Sequence, residues 1–194
     1  MVSIILLAAG ESKRFGSPKQ LAKINSTTLI EYLISKLEKT KVDEIIVVLG
    51  AYKEKIEKLI PSYIKIATNK DYQEGQTSSL KIGLENISSD AKYFLVLPVD
   101  IPAISAETID FVIDKFINSK FLIGIPSYKN QKGHPPIYSI KLKNQILELK
   151  NNKPLYTINH QFIGQTLDIP VDDKNILFNI NTPEDLEKIR KSIF

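Results

Sequence analysis

Short apolar runs alternate with longer amphipathic stretches along the first 125 residues of the chain. The short runs cover residues 2–7, 45–49, 64–67, 93–97 and 121–125, and the longer stretches cover residues 29–37, 53–60, 79–87 and 106–117. The short runs are rich in β-branched residues and predict strands, whereas the longer stretches predict helices. Because strands that are apolar on both faces are typical of a parallel sheet covered by helices, the sequence predicts an α/β fold.

The alternation loosens after residue 133 and ends in a clear helical signal at residues 183–193. Thr182 is placed to cap this last helix, Pro183 suits its first turn, and Glu184 sits at the positive end of its dipole. No internal repeat and no linker rich in Gly, Ser or Pro divides the sequence. We therefore expect a single domain over residues 1–194.

The composition excludes several kinds of site and partner. The 194 residues include no cysteine, so the chain can form no disulfide, thiolate metal site or cysteine nucleophile. The formal net charge of +4 is spread along the sequence without a basic cluster, and we expect no nucleic-acid partner. The apolar run at residues 4–9 is far shorter than the roughly 20 residues of a membrane span, and no basic segment precedes it. We therefore expect no membrane partner and a cytoplasmic location.

The loop after the first predicted strand has features of a phosphate-binding loop. In the segment LLAAGESKRFGSPKQL, Gly10 and Gly16 allow backbone amides to turn inward. Arg14 and Lys19 can offset the negative charge of a nucleoside triphosphate. The segment is neither a Walker loop nor a dinucleotide-binding fingerprint. The residues alone leave open a plain structural connection, although the two cations favour the phosphate loop.

The segment LPVDIP places Asp100 directly after a predicted buried strand. Ligands of open α/β sheets collect beyond the carboxyl ends of the strands, so this carboxylate should face the same crevice as the first loop. Mg²⁺ prefers one or two carboxylates together with phosphate oxygens and water. The alternative is an aspartate that merely opens the following turn.

Two further polar segments have both a structural and a functional interpretation. In FNINTPEDL, Asn179 and Asn181 share one side of an extended segment and could bind a phosphate or a metal-bound water, but asparagine before a helix also forms turns. In EGQTSSL, Gly75 and Ser79 could hydrogen-bond to a base edge, or the serines could simply cap a helix.

The remaining candidates are less informative. GHPPIY presents His134 in a loop, where a lone histidine is usually structural, and the sequence has no spacing for a zinc site or a serine triad. Asp172 and Asp173 are adjacent in a predicted exposed turn. We expect both aspartates to face solvent and leave them out of the site.

The ordered set LLAAGESKRFGSPKQL, EGQTSSLKIGL, LPVDIP, GHPPIY and FNINTPEDL resembles the motifs of the MobA/MocA-like nucleotidyltransferases of molybdenum cofactor biosynthesis. The resemblance covers nearly the whole chain. It implies a single three-layer α/β/α domain with a mostly parallel sheet, in the glycosyltransferase-A-like nucleotidyltransferase fold.

The resemblance also implies a reaction and a set of roles. A nucleoside monophosphate would pass from an NTP to a phosphate on the acceptor, molybdopterin, with release of pyrophosphate. Arg14, Lys19 and Asp100 would be catalytic, Asp100 and Asn181 would hold Mg²⁺, and His134 and Asn179 would bind the acceptor. A molybdoenzyme or another cofactor-biosynthesis protein would be a partner for hand-over. The implied nucleotide-binding residues are Leu7, Ala8, Ala9, Gly10, Glu11, Ser12, Arg14, Gly16, Lys19, Gly75 and Ser79.

Different parts of the sequence resemble branches of the family that use different nucleotide bases. Ala9 and the Ser-Ser-Leu segment ending at Leu80 are similar to the cytidylyl branch, which favours CTP. Asn179 and Asn181 are similar to the guanylyl branch, and the segment at residues 151–156 departs from typical cytidylyl members. We expect CTP, with GTP as the alternative.

Two other functions stay open. The same chemistry could serve a phosphosugar or phosphoalcohol acceptor. A regulator that binds nucleotide without catalysis is disfavoured, since Arg14, Lys19 and Asp100 are all present.

Overall fold

The computed structural model describes residues 1–193, with side chains described through residue 190. The strands are β1 (Val2–Leu7), β2 (Lys23–Ile24), β3 (Thr27–Thr28), β4 (Glu44–Leu49), β5 (Lys65–Thr68), β6 (Tyr93–Pro98), β7 (Ile123–Tyr128), β8 (Gln131–Lys132), β9 (Ile137–Ser139) and β10 (Thr166–Pro170). The helices are α1 (Leu29–Leu37), α2 (Lys53–Ile56), α3 (Gln76–Glu85), α4 (Ala106–Ile117), α5 (Lys143–Leu147), α6 (Tyr156–Gln161) and α7 (Pro183–Ile193). None of the helices within residues 1–193 has the length and apolar content needed to span a bilayer.

The central sheet has the order β10-β7-β9-β6-β1-β4-β5, with β8 paired to β7. β1 pairs in parallel with β4 and β6, β4 pairs in parallel with β5, and β10 pairs in parallel with β7. β9 is antiparallel to both β6 and β7. The sheet is therefore mixed but mostly parallel, as predicted.

Two buried clusters lie on opposite faces of the sheet. Ile4 and Leu6 of β1 belong to the cluster that includes apolar residues of α1, α4 and α7. Ile5 and Leu7 belong to the cluster that includes apolar residues of α3, α5 and α6. Because successive side chains of a strand point to opposite faces, this division produces the predicted three-layer α/β/α arrangement.

The helix boundaries confirm some predictions and correct others. α1, α4 and α7 have the predicted bounds, and Thr182 Oγ1 accepts from the N–H of Asp185 at 3.3 Å as an N-cap. α2 is shorter than predicted, because the chain continues as a 3₁₀ helix at Glu57–Leu59. α3 starts at Gln76 after the N-cap residue Gly75, three residues earlier than predicted, so the alternative that the serines cap this helix does not hold.

Asp173 does not face solvent as expected. Its Oδ2 accepts from the N–H of Ser105 at 3.1 Å and from Oγ1 of Thr108 at 2.9 Å, and its Oδ1 accepts from the N–H of Asn175 at 2.9 Å. The carboxylate thus holds the start of α4 against the segment that follows β10. Asp172 is exposed, as predicted.

Lys36 of α1 fixes the segment that follows β6. Its Nζ donates to the carbonyls of Pro102 at 2.5 Å and Ile104 at 2.7 Å, and it lies 4.6 Å from the ring centroid of Tyr32. Burial lowers the pKa of Lys36 to about 8, and the nearby carboxylate of Asp173 offsets part of that effect. The lysine therefore ties α1 to the loop that begins at Asp100.

Candidate active site

A cavity of about 400 Å³ lies beyond the carboxyl ends of β1 and β6. Its walls come from the loop after β1, the first turns of α3, the residues after β6 and the segment before α7. Parallel neighbours β1 and β6 end on the same edge of the sheet, so the loops that leave them meet there. The predicted site residues that line this cavity are Leu7, Ala9, Gly10, Ser12, Arg14, Lys19, Gly75, Ser79, Asp100 and Asn181.

The loop after β1 presents hydrogen-bond donors. Within the described residues, the N–H groups from Ala9 to Ser12 donate to no protein acceptor. Ser12 adopts a left-handed conformation with φ of 58°, and Gly16, with φ of 78°, ends the short 3₁₀ helix Lys13–Phe15. Successive free amides in such a turn form a concave site for anions.

Three cations and one carboxylate line the cavity, namely Lys13, Arg14, Lys19 and Asp100. Lys13 is paired with Glu11 at 2.9 Å, and this hydrogen bond raises the pKa of Lys13. Arg14 is exposed and forms no hydrogen bond or ion pair within the described part of the chain. Its guanidinium is therefore available to an anionic ligand, for which its geometry is well suited.

Ile180 joins three parts of the site through its backbone. Its N–H donates to the carbonyl of Asp100 at 2.8 Å, and its own carbonyl accepts from Lys19 Nζ at 2.8 Å. Lys19 Nζ also lies 3.4 Å from Asp100 Oδ2, and these two side chains are only 12% and 24% exposed. The next residue, Asn181, therefore reaches the cavity beside the Asp100 carboxylate.

Ser79 is buried in the wall of the cavity. Its Oγ accepts from the side-chain amide of Asn69 at 2.9 Å, and the same amide bonds to Ser78 at 2.9 Å. An oxygen that accepts in this way keeps its own hydrogen to donate. Gly75 has φ of 110°, which favours glycine, and its N–H is bonded to the carbonyl of Tyr72.

Five predicted residues do not line the cavity, and one of them, His134, is described with the second cavity below. Ala8 is buried behind the loop, and its N–H donates to the carbonyl of Val48. Glu11 is engaged by Lys13, and Gly16 closes the 3₁₀ helix. Asn179 is exposed and lines neither this cavity nor the second one described below, so the structure does not bring it together with Asn181.

The donor set at the cavity suits a hard cation only in part. Asp100 and Asn181 offer a carboxylate and an amide oxygen, which are ligands of the type that Mg²⁺ prefers. Among the described residues no group of three or more His, Cys, Asp or Glu side chains could hold a metal ion. The remaining ligands would have to come from phosphate oxygens and water, which is usual for magnesium bound with a nucleotide.

A second cavity of about 310 Å³ adjoins the first, because Leu7 and Gln76 line both. Its walls are mainly apolar, and its polar contributors include Lys132, His134 and Asn159. His134 thus lies in this second cavity and not with Asp100. Burial lowers the pKa of His134, although the charge of Asp100 partly opposes the shift. The imidazole Nδ1 is buried without a hydrogen-bond partner within the described residues.

The amide of Asn159 is oriented by a buried tyrosine. Tyr138 Oη donates to Asn159 Oδ1 at 3.1 Å, and burial raises the pKa of Tyr138, so its hydroxyl stays protonated as a donor. The amide nitrogen of Asn159 has no protein acceptor within the described residues, and Asn159 lines the cavity. The second cavity therefore offers at least one oriented donor.

Sequence reasoning missed several residues of the first cavity or its support, among them Gln20, Gly50 and Tyr72. Gln20 and Tyr72 line the cavity. A Cβ on Gly50 would lie 2.7 Å from Tyr72 Cβ and 2.8 Å from the carbonyl of Ala9, so only glycine lets these segments approach. Gly50 directly follows the buried strand β4. Asp100 was predicted as a site residue because it follows a buried strand, and the same reasoning could have identified Gly50.

A crevice at this edge of the sheet, lined by free amides and cations that face a carboxylate, is typical of proteins that bind a nucleoside triphosphate. The chain has the glycosyltransferase-A-like fold of nucleotidyltransferases. Residues 4–166 match the family described as the MobA-like NTP transferase domain. The chain belongs to this family.

Similar proteins cover the chain almost completely. It is 30% identical over 203 residues to a "Probable molybdenum cofactor guanylyltransferase" of Thermococcus sibiricus, covering 97% of each chain. It is 32% identical over 198 residues to a protein of the same name from Thermococcus gammatolerans, covering 96% of this chain and 97% of the relative. A solved nucleotidyl transferase from Methanothermobacter has a similar fold, with a TM-score of 0.83, 23% identity and coverage of 99% of this chain and 97% of the other.

Proposed function

We propose that this chain transfers the guanylyl group of GTP to the phosphate of molybdopterin, with release of pyrophosphate. The observation that carries the proposal is the pair of adjoining cavities. One offers free amides and cations opposite a carboxylate, and the other is mainly apolar with a few polar atoms. An enzyme that joins a nucleotide to a second phosphorylated substrate needs both sites next to each other.

The first cavity would hold the triphosphate. The free N–H groups of residues 9–12 and the unpaired guanidinium of Arg14 would donate to phosphate oxygens. Lys19, fixed by the carbonyl of Ile180, would stabilise charge at the reacting phosphate from a partly buried position. Charge stabilisation by preplaced donors is the main contribution that a protein makes to this class of reaction.

Asp100 and Asn181 would hold Mg²⁺ together with oxygens of the triphosphate. A bound Mg²⁺ polarises phosphoryl oxygens and neutralises developing charge. The backbone of Ile180 is bonded to the carbonyl of Asp100 and to Lys19, which holds the segment of Asn181 beside Asp100. Since the protein supplies few oxygen ligands of its own, we expect the metal and the nucleotide to bind together.

The second cavity would hold the acceptor. A flat heterocycle would pack against the apolar wall, and Asn159 would donate to it from an orientation set by Tyr138. Since Leu7 and Gln76 line both cavities, the acceptor phosphate would reach the first cavity past these two residues. Asn179 lines neither cavity, so the proposal gives it no contact with the nucleotide or the acceptor.

The chemistry needs no covalent enzyme intermediate. An oxygen of the acceptor phosphate forms a bond to the α-phosphorus, the bond from that phosphorus to the bridging oxygen breaks, and pyrophosphate leaves. The protein holds the two reactants in line and stabilises the charge that moves to the leaving group.

Two observations support GTP over the CTP first expected. The relatives quoted above are named guanylyltransferases. The residues at 179 and 181 are both asparagine, the form similar to the guanylyl branch. Ala9 and Ser79, which favoured CTP, both line the cavity and remain candidates to contact the base.

The test is a turnover assay with purified protein, molybdopterin, Mg²⁺ and each of the four NTPs, with products separated and weighed by mass spectrometry. We expect a guanylyl adduct and stoichiometric pyrophosphate from GTP. A cytidylyl adduct from CTP would instead support the preference for CTP that Ala9 and Ser79 favour. If transfer occurred only to a phosphosugar or phosphoalcohol, molybdopterin would not be the acceptor. If no NTP released pyrophosphate, the enzymatic function would be overturned.

A further inference from the structure

Gln20 lies beneath the loop that follows β1, with only 1% of its surface exposed. Its Nε2 donates to the carbonyl of Ala8 at 2.8 Å and to the carbonyl of Gly10 at 2.9 Å. Its Oε1 accepts a longer hydrogen bond from Ser12 Oγ at 3.4 Å. One buried amide therefore bonds to every second residue of the loop.

The carbonyl between these two is also bonded, because the N–H of Ala51 donates to the carbonyl of Ala9 at 2.9 Å. Three successive carbonyls, at residues 8–10, thus accept from the protein. Over the same stretch, the N–H groups of residues 9–12 have no acceptor within the described chain. A loop with bonded carbonyls and free N–H groups can present donors, and not acceptors, to a ligand.

We propose that Gln20 is the positioning residue that makes this loop a receptor for phosphate. Both hydrogens of its amide nitrogen are used by carbonyls of the loop, so it has none to give to a ligand. It acts by holding the carbonyls of Ala8 and Gly10 away from the cavity. The inference rests on the proposed function, since it assumes that the loop binds the triphosphate.

This role predicts a specific pattern of ligand affinities. The loop N–H groups would contact phosphates and not the base. Loss of the Gln20 amide should therefore raise the Kd of all four NTPs and of inorganic tripolyphosphate by the same factor. A residue that merely supports the fold would lower Tm without an equal loss of affinity for all five ligands.

The experiment compares wild-type protein with Gln20→Met, which keeps the length of the side chain and removes its hydrogen bonds. Titration calorimetry measures the Kd of tripolyphosphate and of each NTP. Two lost hydrogen bonds to the loop predict a weakening of about 10–100-fold, the same for every ligand. Thr108→Val is the control, because Thr108 lies in α4, far along the chain from the loop, and the change removes its hydrogen bond to Asp173. The control should lose thermal stability and keep the wild-type Kd.

The outcomes separate this inference from the proposed function. If wild type binds tripolyphosphate and the NTPs and Gln20→Met binds them equally well, the role of Gln20 is overturned and the function stands. If wild type binds none of them, both are overturned.

A second measurement on wild-type protein does not depend on the variant folding. We expect the side-chain Nε2 hydrogens of Gln20 to exchange slowly in NMR spectra, and tripolyphosphate to shift the backbone N–H signals of residues 9–12. Rapid exchange of the Gln20 amide, or unshifted loop signals with bound tripolyphosphate, would overturn the inference.

Discussion

Replacing Asp100 by asparagine should reduce turnover far more than it reduces stability. The variant keeps the shape of the side chain and removes its charge. The hydrogen bond from the N–H of Ile180 goes to the backbone carbonyl of Asp100 and is retained. What is lost from the folded state is one contact of 3.4 Å with Lys19, between side chains that are 24% and 12% exposed.

The structure sets the size of the two effects. A partly exposed ion pair of this length is worth about 0–1 kcal/mol, which lowers Tm by at most ~4 °C in a chain of this size. A lost metal ligand removes several kcal/mol of charge stabilisation from the transition state, and about 4 kcal/mol corresponds to a roughly 1,000-fold slower reaction. The loss of activity should therefore greatly exceed the loss of stability.

The assay for Asp100→Asn follows pyrophosphate release at saturating NTP over a Mg²⁺ titration, beside thermal unfolding of the same samples. Asp173→Asn is the matched control, since its carboxylate holds Ser105 and Thr108 outside the cavity. The control should lose about 1 kcal/mol of stability and keep its turnover. If Asp100→Asn retained turnover within tenfold of wild type, the metal role assigned to Asp100 would be refuted.

Three further predictions test other parts of the molecule. Gly50→Ala should lower both Tm and NTP affinity, because its Cβ would press on Ala9 and Tyr72; calorimetry with unchanged affinity would contradict this. Burial lowers the pKa of Lys36 to about 8, so between pH 8 and 10 unfolding takes up a proton and the free energy of unfolding rises with pH. Lys36→Met should remove this rise in the free energy of unfolding, measured by denaturant titration at a series of pH values. An equal pH dependence in wild type and variant would contradict the prediction. Asn159→Ala should raise the KM for molybdopterin by about tenfold and leave the KM for NTP unchanged, as steady-state kinetics would reveal.

Local chemistry was enough to locate the first cavity from the sequence. Glycines and cations in the loop after β1, and Asp100 after β6, could be placed together because neighbouring parallel strands end at the same edge of a sheet. The same reasoning failed for Asn179. The alternation rule holds only for a regular extended segment, and here Ile180 is bonded to Asp100 on one side while Asn181 already joins the cap of α7 through Asp185.

The parts that escaped prediction depend on contacts between distant segments. The role of Gln20 arises from the turn that returns it beneath residues 8–10, and the second cavity forms only when α6 covers β6 and β9. The insertion of the antiparallel strand β9 between β6 and β7 likewise has no local signal, since its three residues read as a short apolar run. The exposure of Asp173 was predicted wrongly because its distant partners, 65 and 68 residues away, lie at the start of α4.

The most direct test of the account is a crystal structure of the protein with Mg²⁺ and a non-hydrolysable GTP analogue. We predict the triphosphate on the N–H groups of residues 9–12 beside Arg14 and Lys19, and the metal between Asp100, Asn181 and phosphate oxygens. The second cavity should stay open for the acceptor. A nucleotide seated in the second cavity, or a metal bound away from Asp100, would contradict the assignment of the two cavities.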